Sequence, residues 1–277
     1  MRLKLGITVD DNKVVSFTSE TEQLVNTSLD ANPNYHKLNN SDLIVHSVFK
    51  RLYSRQGGDG NPLIYALKGQ KGFSITLKEC GKFNPNISAI LDRLMQKKDY
   101  EVILTMPSSH KIVERFAKKI NRRASEHCIL INNIFTKKTF SEVYADLQDL
   151  PLTPKYKKDI IALRRSLEKN LHRNPNKVFS MKEVDTKDRM FIRPLKIDST
   201  KIDTIQKIKG KSILLVDDLL ASGTTLTSAY NLLIDLEISN EIEGVCLFGK
   251  LGNNYSNIIF KHGNLLKLTK GNVNFYL

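Results

Sequence analysis

Two adjacent acids, Asp217 and Asp218, follow the apolar run Ile213-Leu-Leu-Val216, and a small polar segment, Ala221-Ser-Gly-Thr-Thr225, comes three residues later. Four consecutive apolar residues are what a strand buried on both faces requires. In an open parallel sheet, ligands bind where the chain leaves the carboxyl end of such a strand. Gly223 allows close backbone approach. The amides of Ser222 to Thr225, with the hydroxyls of Ser222, Thr224 and Thr225, can donate hydrogen bonds at the start of a following helix. That is the composition of a phosphate cradle. Paired carboxylates beside it point to a ligand carrying both hydroxyls and phosphates, together with a divalent cation that relieves their repulsion.

Two other motifs share parts of this pattern. Gly210-Lys-Ser212 has the last letters of a nucleotide-binding P-loop, but position 205 is Ile and the run precedes a strand instead of opening a helix. Receiver domains carry paired aspartates after an early strand, whereas these lie late in the chain.

The elements around the motif alternate. Tyr100 to Met106 reads as a short strand ending at Pro107, Ile112 to Ile120 as a helix, and Cys128 to Phe135 as a strand. Ser212 to Val216, Thr224 to Leu236 and Gly244 to Phe248 read as strand, helix and strand. Asn84-Pro85 is expected to open a helix. Alternation of this kind predicts an α/β fold with a mostly parallel sheet flanked by helices. Upstream, Leu3 to Val9 and Val14 to Phe17 predict a hairpin, Ser19-x-x-Glu22 a capping box, and Ser41 to Tyr53 a helix. The break Gln56 to Pro62 sets an expected boundary. Residues 1–60 form an N-terminal accessory α+β region, and residues 61–277 the core, with a basic insertion or flap at about 140–195.

The chain has 277 residues and a net charge of +14. Residues 1–60 are balanced, so the surplus lies in the core, and 155–193 holds twelve Lys or Arg against five acids. Such a surface attracts polyphosphates or nucleic acid. Cys80, Cys128 and Cys246 show neither zinc nor disulfide spacing, and the histidines are scattered. No apolar run approaches the roughly 18 residues of a membrane span. The first residues alternate without a signal-peptide pattern, so a cytoplasmic protein with no membrane partner is expected.

The run Ser212 to Leu226 resembles the phosphoribosyl pyrophosphate (PRPP) motif of type I phosphoribosyltransferases. Four further stretches resemble the ComF-like branch: Asn61 to Gly69, Leu104 to Lys111, Ile134 to Thr139 and Asn176 to Phe179. The chain departs from that branch in lacking an N-terminal zinc ribbon. The resemblance implies a transferase that moves phosphoribose from PRPP to an acceptor it does not identify, with Mg²⁺ and release of pyrophosphate. It assigns catalysis to Asp217 and Asp218, which also hold Mg²⁺ through water. It assigns the 5-phosphate to Ala221, Ser222, Gly223, Thr224 and Thr225, and pyrophosphate to Pro107, Ser108, Ser109 and Lys111. The two serines equally suit a helix cap. Lys68 suits either the site or solvent. The alternative reading is a binding module on the same fold that senses PRPP or a nucleotide, as a regulatory or phage-defence protein. Besides PRPP and the acceptor, the partner expectations are a nucleic acid or nucleoprotein at 155–193 and a second copy of the chain.

Overall fold

The computed structural model describes residues 6–19, 24–38, 41–52 and 61–249, with the backbone of two later strands. In chain order the elements are β1 (Gly6–Val9), β2 (Val15–Thr18), β3 (Val25–Asn26), β4 (Asn34–Lys37), β5 (Ile44–Arg51), α1 (Pro62–Lys68), α2 (Leu77–Met95) and β6 (Val102–Thr105). There follow α3 (Ile112–Asn121), β7 (Ile129–Ile131), β8 (Phe135–Lys137), α4 (Phe140–Gln148), α5 (Lys157–Arg173), β9 (Leu195–Ile197), α6 (Ile202–Gln206), β10 (Ile213–Leu220), α7 (Thr224–Asp235) and β11 (Ile242–Gly249). The strands β12 (Ile258–Lys261) and β13 (Asn264–Lys267) pair with each other.

The central sheet runs β3-β5-β11-β10-β6-β7, with β4 also paired to β5. Strands β5, β11, β10, β6 and β7 are parallel, and β3 and β4 run antiparallel to β5. β10 is central, and Ile213, Leu214, Leu215 and Val216 are fully buried. Alternate residues of β10 enter two separate cores. Leu214 and Val216 pack with α1, α2 and α3, while Ile213 and Leu215 pack with α6 and α7. This is the expected α/β fold with a mostly parallel sheet between helices.

Several expectations are corrected. Residues 44–51 form strand β5, not part of a helix. Ile44, Val48 and Leu52 suit one helical face, but five consecutive buried residues, Val45 to Phe49, leave no period to separate strand from helix. Three of the sheet's strands thus come from the first sixty residues. Asn84-Pro85 does not open a helix. Helix α2 begins earlier, where the Thr76 side chain accepts from the Glu79 amide, and Pro85 lies inside it. The expected strand from Cys128 to Phe135 is two strands, broken where Asn133 takes φ +61°. The capping box at Ser19 to Glu22 and most of the Gln56 to Pro62 break lie outside the described residues.

The stretch 140–192 packs as a unit with its own core, in which Phe140, Leu147, Ile160, Leu163, Phe179 and Phe191 are buried. A capping box between Thr139 and Glu142 starts α4. The Arg164 guanidinium donates to the carbonyls of Leu147, Gln148 and Leu150, satisfying the end of that helix. The unit joins the rest through the antiparallel pair β8-β9.

At the amino end of the sheet, Glu243 of β11 gathers three partners. His46 Nε2 lies 2.6 Å from its Oε2, the Tyr100 hydroxyl donates to the same oxygen at 2.8 Å, and Lys98 donates to Oε1 at 3.1 Å. The His46 bond, reinforced by Tyr100 and Lys98, holds the Glu243 carboxyl down at about 2. A depressed carboxyl stabilises the fold above its ordinary range and loses that contribution as pH falls. Glu243→Gln is therefore expected to cost about 1–2 kcal/mol at pH 7 after allowance for solvent screening. The difference from wild type should close as pH falls from 4.5 to about 2, read by urea denaturation at each pH.

Candidate active site

β10 outlasts its neighbour. Val216 pairs with Thr105, the last residue of β6, and Met106 donates its amide to the Val216 carbonyl at 2.9 Å. The expected strand end at Val216 is corrected here. β10 continues through Asp217 and Asp218 to Leu220, held on one side by β11. The aspartates sit on a rigid strand end, and alternation along the strand turns them to opposite faces.

Two lysines line the cleft beside them. Asp218, buried, meets Lys68 Nζ at 2.5 Å, with side chains 9% and 17% exposed. Lys68 ends α1, a helix fixed at both ends. Asn61 accepts from the Leu63 amide, Pro62 opens the first turn, and Gly69 closes the last with φ +60°. The Asn61 side chain also donates to the Leu24 carbonyl, tying the helix start to the main sheet. Lys137 of β8 lines the same cleft. Asp217 accepts the Asp218 amide at 2.8 Å. Burial, then the neighbouring Asp218 charge, push the Asp217 carboxyl up to about 7 against the pull of that amide, Lys68 and Lys137.

The segment after β10 turns through Gly223, whose φ is +75°. A Cβ there would also come within 3.0 Å of both methyls of Leu38. Helix α7 starts at Thr224 with no cap from Gly223; the Thr224 amide donates to Ser222 Oγ at 3.4 Å, and the next first-turn amides, of Thr225 and Leu226, face the helix start where an anion can bind. Ser222 Oγ and Thr224 Oγ1 lie 3.0 Å apart. The two aspartates and all of Ala221 to Thr225 line one cleft of about 350 Å³.

Pro107, Ser108 and Ser109 line it as well, on the turn after β6. Ser108 Oγ accepts the His110 amide at 3.2 Å, and α3 starts without a side-chain cap, so neither serine caps that helix. Lys111 is not brought to the cleft. It lines a neighbouring groove with Leu67, Phe83 and Phe116. His110 takes its place in the cleft wall, where its ring lies 2.7 Å from the Gln70 amide nitrogen. Lys182 and Arg189, from the 140–192 unit, line it too, and the Arg189 guanidinium donates to the Val184 carbonyl at 3.1 Å. The Arg189 carbonyl lies 3.4 Å from Thr224 Oγ1. The sequence singled out none of Lys137, His110, Lys182 and Arg189. The charge excess of 155–193 pointed to the segment but not to which of its cations face inward.

The carboxylates offer the hard oxygen donors that Mg²⁺ prefers. Among the described residues no group of three or more His, Cys, Asp or Glu is placed to hold a metal. A cation here would complete its shell with water and ligand oxygens. No described helix is long and apolar enough to cross a membrane.

A family profile described as "Phosphoribosyl transferase domain" matches residues 172–258, which contain the acid pair, the loop and β10, α7 and β11. No curated protein and no solved structure matches the chain. The profile supports a type I phosphoribosyltransferase relationship and phosphoribosyl transfer as the general chemistry.

A raised carboxyl binds its proton more tightly folded than unfolded. This site's contribution is complete below pH 3.8 and is lost as pH rises through about 7. Asp217→Asn mimics the neutral form. Thermal denaturation should show the variant about 2 kcal/mol more stable than wild type at pH 8 and little different at pH 4. A variant less stable at pH 8 would contradict the burial of this charge.

Proposed function

We propose that the cleft binds PRPP and transfers its phosphoribosyl group to an acceptor nucleophile, releasing pyrophosphate. The observation carrying this reading is the convergence of the acid pair, the Ala221–Thr225 loop and the Pro107–Ser109 turn on a single cleft of ligand size. The chain falls best with the ComF-like branch, without its zinc ribbon.

In this reading the first-turn amides of α7 and the hydroxyls of Ser222, Thr224 and Thr225 hold the 5-phosphate. Asp217 and Asp218 accept bonds from the ribose hydroxyls. As the bond from C1 to the pyrophosphate oxygen breaks, the oxygen keeps the electron pair and positive charge grows on the ring. The two carboxylates stabilise that charge. Pro107 to Ser109 meet the departing pyrophosphate, with the Lys182 ammonium, which lines the same cleft, neutralising it. The acceptor then forms its new bond at C1. Mg²⁺, when bound, would neutralise pyrophosphate and screen the acid pair. The 140–192 unit keeps water from the cleft.

A second reading is a PRPP-responsive nucleic-acid binder. It is favoured by the exposed side of α5, where Lys157, Lys158, Arg165, Lys169 and Arg173 stand on the same unit that supplies the cleft wall. Binding of this kind weakens steeply with salt.

The test is pyrophosphate release from PRPP and Mg²⁺ against a panel of bases, nucleosides and nucleic acids. Release with one acceptor class is expected, and Thr224→Val with Thr225→Val should lower kcat/KM about 100-fold. No release with any acceptor, alongside salt-sensitive retention of nucleic acid, would favour the second reading.

A further inference from the structure

We infer that Lys68 is an internal counter-cation that keeps the acid pair closed to free divalent metal, so that metal enters only with a diphosphate-bearing ligand. This rests on the proposed function for the ligand, but its first test does not use that ligand.

The Lys68 ammonium lies 2.5 Å from Asp218 Oδ2, where a cation bound to that carboxylate would stand. Both side chains are largely buried, so the pair is poorly screened by solvent. Lys137 lines the same cleft and, like Lys68, acts electrostatically on Asp217. With Lys68 paired to Asp218 and Lys137 lining the same cleft, the free protein presents little net negative charge to a dication. The donor set points the same way, because no third acidic, His or Cys ligand is gathered there among the described residues. A diphosphate changes the balance. Its negative charge supplies the missing oxygens for a metal and draws the Lys68 ammonium away from Asp218. The side chain swings on its four-carbon stem while capped α1 stays in place. Lys68 is thus a positioning residue that couples metal entry to ligand entry.

The experiment titrates Mn²⁺ alone, followed by electron paramagnetic resonance, into wild type, Lys68→Met, Lys68→Arg and Lys68→Met with Asp218→Asn. Lys68→Met should bind Mn²⁺ about tenfold or more tightly than wild type. Lys68→Arg should behave as wild type, and the double variant should lose the gain. Removing one partner of a buried ion pair is destabilising. If Lys68→Met is poorly folded, Mn²⁺ should raise its melting temperature and leave that of wild type unchanged. Equal Mn²⁺ affinity in wild type and Lys68→Met, or no Mn²⁺-dependent rescue of a destabilised variant, would overturn the inference. A parallel titration of wild type with PRPP and Mn²⁺ separates the two claims. Absence of PRPP binding would defeat the proposed function and leave the Lys68 result standing on metal alone.

Discussion

Two carboxylates one residue apart, at the closed end of a central strand, impose the condition that the rest of the site meets. Side by side in a loop they would repel at close range with water as their only relief. On β10 the pleat sends them to opposite faces, Lys68 pairs with Asp218, and Lys137 lines the same cleft. The continuation of β10 beyond the end of β6 is therefore a functional feature. It carries the charges out of the two apolar cores while their backbone remains pinned to β11.

Other parts of the fold follow from that placement. The double capping of α1 delivers Lys68 at a fixed height above Asp218. The pair β8-β9 brings Lys137 to the cleft and roots the 140–192 unit, whose independent core lets it line the cleft with Lys182 and Arg189 without drawing on the main sheet. Leu38, from a segment first read as outside the core, sets the room available to Gly223. The anion loop is thus shaped partly by the first sixty residues.

The centre of the site was legible because its residues are contiguous. A strand, an acid pair and a glycine-containing loop can be read from fifteen successive letters, and the parallel sheet from the alternation around them. What stayed hidden was set by packing between distant segments. β5 is buried on both faces and loses its period. Thr76 starts α2 before the stronger-looking Asn84-Pro85 signal is reached. His110 lines the cleft where Lys111 was expected, because the helix starts where the sequence predicts but the winding of the turn before it is not carried by any residue pattern. Lys182 and Arg189 sit in weakly patterned chain, where only the folded unit decides which cations turn inward.

The most direct test of the account is calorimetric titration of PRPP with Mg²⁺ into wild type and into Asp217→Asn with Asp218→Asn at one pH, with folding of both checked by circular dichroism. The acid pair as the ribose-binding element predicts saturable heat for wild type and none for the folded double variant. Matching heats and affinities for the two proteins would contradict it.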